Sequence, residues 1–229
     1  MLRFAFWIVL FAMLLGGCGG DEAEPTTTTA APTTTTIVTG GESPLEAVTT
    51  WFDGLAIGRY AIVDDVVVTD QFVLVLAVES YSVELYDDLA ATGVSPSVSR
   101  TFWESFVAGV RGFTGADITE VDVQGEERFD AYGRAFAEVE AMSPRGDITI
   151  VTIQDADGRW YVDLLATFGP SFAPLFNLWV DRLPPGQGGP LESLSTQMSS
   201  LQVARDRVIS LSDQQARQEL DALLERLAA

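Results

Sequence analysis

Lysine and histidine are absent from this chain of 229 residues, and cysteine occurs once, at Cys18. Without histidine the chain cannot build a Ser–His or Cys–His nucleophile pair, and without lysine it cannot form a Schiff base with a substrate carbonyl. A single thiol excludes an intramolecular disulfide and a metal site built on cysteine and histidine ligands. We therefore expect no cofactor and no metal ion, and we assign no catalytic residue.

The charge is strongly one-sided, with 33 Asp and Glu residues against 13 basic residues, all arginine, and a formal net charge of −20. Residues 25–169 hold most of this excess, because their 23 acidic and 7 basic side chains give a net charge of −16. Nucleic-acid binding needs clustered basic side chains that displace counterions from phosphates, so we expect no nucleic-acid partner. Two interpretations of the charge stay open: a solvated surface that aids solubility, and a surface that attracts a cationic ligand or a basic partner.

The amino-terminal residues have the layout of a targeting signal. Arg3 precedes an uninterrupted apolar run from Phe4 to Leu15, which is too short to span about 30 Å of hydrocarbon comfortably. The run leads into Leu15-Gly16-Gly17-Cys18. This stretch resembles the lipobox of bacterial lipoproteins, in which small residues precede the cysteine that is lipidated and becomes the new amino terminus.

The lipobox resemblance implies that residues 1–17 are removed and that Cys18 carries a diacylglyceryl thioether. The expected location is the extracytoplasmic face of the cell membrane, with fatty acyl chains such as palmitate as the anchor. The alternatives are an ordinary secretory signal and an amino-terminal membrane helix that contains an incidental cysteine.

Composition and apolar spacing divide the remainder of the chain. Residues 18–42 are rich in threonine and proline and predict a flexible tether. Residues 43–168 predict an α+β domain, and residues 169–229 predict a helical C-terminal extension.

Helical signals come first in the predicted domain, and strand signals follow. Ser43-Pro44-Leu45-Glu46 is a capping box with proline at the first helical position. The stretch from Tyr60 to Leu89 is ambiguous, and we favour helices over strands there. The strongest strand signal is the pair Ile148–Gln154 and Arg159–Leu165, which flanks a four-residue turn ending in Gly158. This order predicts helices packed on a curved antiparallel sheet.

The order of elements and the closing segment Gly158-Arg159-Trp160-Tyr161-Val162-Asp163 resemble the nuclear-transport-factor-two-like fold, which polyketide-cyclase-like proteins share. The resemblance covers about residues 43–168. It implies a cone-like domain that often encloses a pocket between the sheet and the helices.

Candidate functional residues follow from that implied pocket. The residues that we expect at a ligand-binding site are Tyr60, Asp64, Trp103 and Phe106. Family relatives with isomerase or dehydratase activity use an aspartate base, and the acidic and phenolic candidates for such a role are Tyr60, Asp64, Asp65, Asp70 and Asp163. A calcium interpretation of Asp155-Ala156-Asp157-Gly158 lacks the third ligand and the bidentate glutamate of a calcium loop, so a hairpin turn is favoured.

The leading functional hypothesis is a membrane-anchored envelope lipoprotein that binds a small apolar ligand or an envelope protein partner without catalysis. One alternative is a membrane-tethered enzyme of the isomerase or dehydratase type that uses an aspartate base. A second alternative is a structural or assembly subunit that acts through its C-terminal helices. An apolar face, either the stripe from Phe172 to Leu183 or residues 191–227, would then be exposed rather than part of the core.

Overall fold

The computed structural model describes residues 39–114, 117–144, 146–183, 188–208 and 214–229, which all belong to one compact unit. The predicted signal peptide, Cys18 and the tether as far as residue 38 lie outside the described residues. Within the described ranges, no helix combines the length and the apolar character that a membrane crossing requires.

The predicted α+β class is confirmed, because the described residues form nine α-helices and a four-stranded antiparallel sheet that does not close. The helices before the sheet are α1 (Pro44–Ala56), α2 (Tyr60–Asp64), α3 (Thr69–Glu79), α4 (Val83–Thr92) and α5 (Pro96–Thr114). After a 3-10 turn at Ile118–Glu120, the strands are β1 (Asp122–Ala131), β2 (Arg134–Ser143), β3 (Gly146–Gln154) and β4 (Trp160–Val162). The helices after the sheet are α6 (Leu164–Val180), α7 (Gly188–Thr196), α8 (Met198–Val203) and α9 (Gln214–Ala228), with a π-helical turn at Ala204–Val208.

Local sequence explains where the first helices form. The Ser43 side chain accepts a hydrogen bond from the Glu46 backbone N–H, and Pro44 occupies the first position of α1, as predicted. The reciprocal half of the capping box differs, because the Glu46 carboxylate accepts the Glu42 N–H at 2.6 Å.

Most of the ambiguous stretch from Tyr60 to Leu89 is helical, as favoured, but Val67 between α2 and α3 forms a β-bridge with Val162 of β4. Helix α3 is buried on all sides over residues 71–78, which is why its apolar run shows no clear helical period.

The sheet is a simple meander with strand order β1-β2-β3-β4. Tyr132 and Gly133 join β1 to β2 with φ values of 53° and 75°, the backbone that a two-residue type I′ turn requires. The predicted turn before β4 is present, with Gly158 at φ 81°. The predicted strand Arg159–Leu165 is too long, because Asp163 caps α6 and ends β4 at Val162.

Opposite faces of the sheet are covered by different helices. Ala137, Val139 and Ala141 alternate along β2 and pack towards α1 and its neighbours. Phe136 on the other face packs with residues of β3, α6 and α8. A separate cluster joins α3 to the C-terminal helices through buried leucines, valines and aromatic residues, and the Phe172–Leu183 stripe lies mostly within it.

Helix α6 runs without interruption across residue 168, where the sequence analysis placed the start of the C-terminal extension. It continues through Pro170 and Pro174. Prolines normally interrupt a helix, and here the packing of α6 between the sheet and α9 accommodates them.

The described chain begins with a short segment that is bonded to the end of the sheet. Gly41 pairs with Trp160 through backbone N–O distances of 2.8 and 2.9 Å. Gly40 donates its N–H to the Asp65 carbonyl, and the Arg159 guanidinium donates to the Gly40 carbonyl at 2.6 Å. A side chain at residue 41 would lie 2.6 Å from the Ala47 backbone nitrogen, so glycine is required there.

Candidate functional site

The four residues predicted for ligand binding lie at one helix–helix interface. Tyr60 and Asp64 come from α2, and Trp103 and Phe106 come from α5. The Trp103 indole N–H donates a hydrogen bond of 2.8 Å to Asp64 Oδ1. The chain therefore brings the predicted residues together, and two of them bond to each other.

Aromatic side chains fill the space around Trp103. The indole is fully buried, stacks on Phe72 with ring centroids 5.1 Å apart, and meets Phe102 edge-on at 4.7 Å. Trp51 and Phe106 approach the same indole at 6.2 and 5.6 Å. These spacings are those of packed aromatic pairs, so Trp103 acts as part of the core here.

Tyr60 and Asp65 lie at opposite ends of α2, whereas the candidates Asp70 and Asp163 lie on other elements. Burial raises the pKa of the Tyr60 phenol, with Glu104 adding to the increase and Arg100 opposing it. Burial, together with the neighbouring Asp64, raises the pKa of Asp65. Asp70 is exposed in the first turn of α3. In the hairpin loop, Asp155 and Asp157 accept backbone N–H groups of the turn itself, and the described residues include no group of potential metal ligands.

Asp163 is the one aspartate candidate that is completely buried. Its Oδ1 accepts the Ala166 backbone N–H at 2.8 Å and thereby caps α6, while its Oδ2 accepts the Ser200 hydroxyl at 2.5 Å. Burial raises the pKa of Asp163, and the hydrogen bonds from Ser200, Ala166 and Gln71 oppose that increase.

Gln71 extends this cluster to three helices. Its Nε2 donates to Gln197 Oε1 at 3.1 Å and to Ser200 Oγ at 3.2 Å, and its Oε1 accepts the Leu165 N–H at 3.1 Å. These side chains are all buried, so the cluster joins α3, α6 and α8 inside the molecule rather than facing a substrate. Sequence reasoning missed Gln71, Gln197 and Ser200, although Gln71 is the one polar residue in the otherwise apolar run 71–78.

A concavity of about 430 Å³ lies along β3. It is lined by residues 147–149 of β3, by Thr167 and Phe168 of α6, and by Glu138 and Arg207. We call this the β3-edge cleft. It is open to solvent, and none of the four predicted ligand-binding residues lines it.

Arg207, in the π-helical turn, lines the β3-edge cleft. Its guanidinium donates two hydrogen bonds to the Glu138 carboxylate, at 2.7 and 2.9 Å, and lies 3.8 Å from the centroid of the Phe129 ring. The hydrogen bond with Glu138 raises the pKa of Arg207. A second open concavity of about 230 Å³, next to Tyr132, lies on the other side of Arg207. π-Helical turns are often found at functional sites, which directs attention to this surface.

The arrangement can bind but offers little for catalysis. Within the described residues, the buried carboxyl of Asp163 is enclosed by its own partners, and the open cleft contains a carboxylate–guanidinium pair, Asp147 and two threonine hydroxyls. Comparison with known proteins finds no match to a family model, to a curated protein or to a solved structure.

Proposed function

We propose that this protein is a lipid-anchored component of a bacterial cell envelope that binds a protein partner without catalysis. Of the two kinds of ligand expected from the sequence, a protein partner is favoured over a small apolar molecule. The observation that carries this choice is the packing around Trp103. The side chains expected to line an apolar pocket contact one another instead, and the open concavities lie on the surface.

The chemistry of the acidic residues supports a non-catalytic role. An aspartate that abstracts a proton must reach the substrate directly or through one water molecule. Asp163 is fully buried with its carboxylate bonded to Ser200 and Ala166, and Asp64 is bonded to Trp103. Both aspartates therefore have a structural role.

The proposal also includes a lipid anchor and a cone-type fold. Support for the anchor is the lipobox-like segment Leu15–Cys18. Support for the cone-type fold is the order of elements, with α1 packed on one face of an antiparallel meander. A Cys18→Ser variant should be released from the membrane or left unprocessed. If it remained membrane-bound at its normal mature size, the anchor part would be wrong.

Photo-crosslinking in intact cells of the native host tests the binding role. A photoreactive residue replaces in turn Thr149 in the β3-edge cleft, Asp88 on α4 and Leu178 on α6. We expect one discrete protein adduct whose yield depends on the position of the photoreactive residue. In parallel, native mass spectrometry of the protein purified from the same cells should show no bound small molecule. Either a stoichiometric apolar ligand or the absence of a protein adduct at every position would overturn the proposal.

A further inference from the structure

Strand β3 has an outer edge that the sheet leaves mostly unpaired. Strand β4 pairs with β3 only at Thr152, Ile153 and Gln154, although β3 begins at Gly146. The next residue, Val151, has its N–H bonded to Thr167 Oγ1 at 3.0 Å and its carbonyl bonded to the Asp163 N–H at 2.9 Å.

The backbone N–H and C=O groups of Thr149 and Asp147 face this same outer edge of β3. In an antiparallel strand both polar backbone groups of a residue face one side, and alternate residues face the same side. Because those of Val151 face outward, those of Thr149 and Asp147 do too, and both residues are exposed. No described residue outside the sheet bonds to them, so they can accept an added strand.

The opposite edge of the sheet, formed by β1, is protected against the pairing of a further strand, unlike the β3 edge. Strand β1 has a bulge between Val123 and Gly125, and five of its ten residues, mostly acidic, are charged. Its Glu126 carboxylate also accepts the Leu45 backbone N–H at 2.9 Å. Bulges, charges and covering segments are the devices that prevent strand pairing at an edge. The β3 edge over residues 146–149 has no bulge, proline or lysine, and its one charge is Asp147.

The charge of the β3-edge cleft indicates which side chains a bound segment would carry. Arg207 is balanced by Glu138, so Asp147 leaves the cleft with a net negative charge. A residue added directly opposite Asp147 would lie within cross-strand contact of its carboxylate, where a basic side chain is favoured.

We infer that the partner contributes an extended segment bearing lysine or arginine, which adds to the β3 edge as a fifth strand. This inference rests on the proposed binding function and names the chemistry of the partner. Main-chain hydrogen bonds to Thr149 would supply affinity, and Asp147 would select for positive charge.

Synthetic peptides test this inference on the full lipidated chain in detergent. The probe is an eight-residue peptide of alternating valine and lysine. Its glutamate counterpart tests charge, and a version with N-methylated amides along one edge tests main-chain pairing. Fluorescence anisotropy gives the dissociation constants, and amide hydrogen exchange reports on Thr149.

We expect the lysine peptide to bind and to slow exchange of the Thr149 amide. The glutamate peptide should bind at least about tenfold more weakly, because it loses the charge pair with Asp147. The N-methylated peptide should also bind at least about tenfold more weakly, because it loses main-chain hydrogen bonds. Asp147→Lys should weaken the lysine peptide about tenfold, while the matched control Asp88→Lys should change its affinity less than twofold. Thr149→Pro removes the outward N–H and should have an effect like that of N-methylation.

Other results would overturn the inference. Equal affinity for the lysine and glutamate peptides, unchanged affinity after N-methylation, or no binding of the lysine peptide would each do so. If these peptide results fail while the cellular crosslinks persist, the strand-addition inference is wrong and the proposed binding function stands. If no crosslink forms at any position, the proposed function itself fails.

Discussion

Replacing Asp163 probes the buried cluster that joins the sheet to the C-terminal helices. Asp163→Ala removes both carboxylate oxygens, so α6 loses its cap and the Ser200 hydroxyl loses its acceptor. Asp163→Asn keeps an oxygen for the Ala166 N–H and places an amide N–H beside the Ser200 oxygen. The pair of variants separates loss of hydrogen bonding from loss of charge.

The expected cost of Asp163→Ala is about 3 kcal/mol. Loss of a helix cap costs about 1 kcal/mol. Leaving a buried hydroxyl without its partner costs about 1–3 kcal/mol more. For a folded unit of this size each 1 kcal/mol lowers the melting temperature by about 2–4 °C, so the decrease should be about 6–12 °C. Asparagine caps a helix as well as aspartate does, so Asp163→Asn should stay within about 1 kcal/mol of the natural protein at acid pH.

The two proteins should diverge as the pH rises. Burial raises the pKa of Asp163 above its unfolded value, so the folded state holds the proton more tightly than the unfolded chain. The stability that this provides is fully present below the unfolded pKa and is lost as pH rises through the folded pKa. Asparagine cannot ionise. The stability of Asp163→Asn relative to the natural protein should therefore increase from acid to neutral pH.

Urea unfolding followed by tryptophan fluorescence from pH 4 to pH 8 measures both effects. Comparing each variant with the natural protein at the same pH cancels contributions from groups that the substitution leaves alone, such as Asp65. A difference between Asp163→Asn and the natural protein that stays constant over this range would refute the reasoning. So would an Asp163→Ala variant as stable as the natural protein.

Three further substitutions have clear expected outcomes in urea unfolding. Trp103→Phe removes the hydrogen bond to Asp64 and part of the core volume, and it should lower the free energy of unfolding by about 2 kcal/mol. Gly41→Ala should also cost about 2 kcal/mol, since the new Cβ meets the Ala47 backbone, and exchange of the Gly40 amide should accelerate. Gly109→Ala should instead stabilise the protein by about 0.5–1 kcal/mol, because a Cβ there, within α5, meets no atom within 4 Å; an unchanged or lower stability would contradict this.

Elements with local signals could be predicted from the sequence. The capping box at Ser43 fixes the start of α1, and Gly158 permits the turn that leads into β4. The helices between Tyr60 and Leu89 were ambiguous because α3 is apolar on every side, so neither the helical nor the strand period stands out.

What sequence reasoning missed depends on contacts between distant residues. The continuity of α6 through Pro170 and Pro174 results from packing against the sheet and α9 rather than from local propensity. At the candidate site, the grouping of Asp64 with Trp103 followed from the expected fold, but their mutual hydrogen bond did not. The unpaired edge of β3 was not predictable, because it results from the early end of β4.

The second core cluster sets a condition on how the chain reaches its native state. Leu74 and Val75 in α3 pack in the same cluster as Leu220 and Leu223 in α9, which comes from the last residues of the chain. Contacts between such widely separated residues form slowly, because a long loop must close before they become favourable. A growing polypeptide in which α9 has not yet folded therefore leaves one side of α3 exposed to solvent and prone to aggregation. The apolar side chains of α3 are covered only when α9 has packed against them.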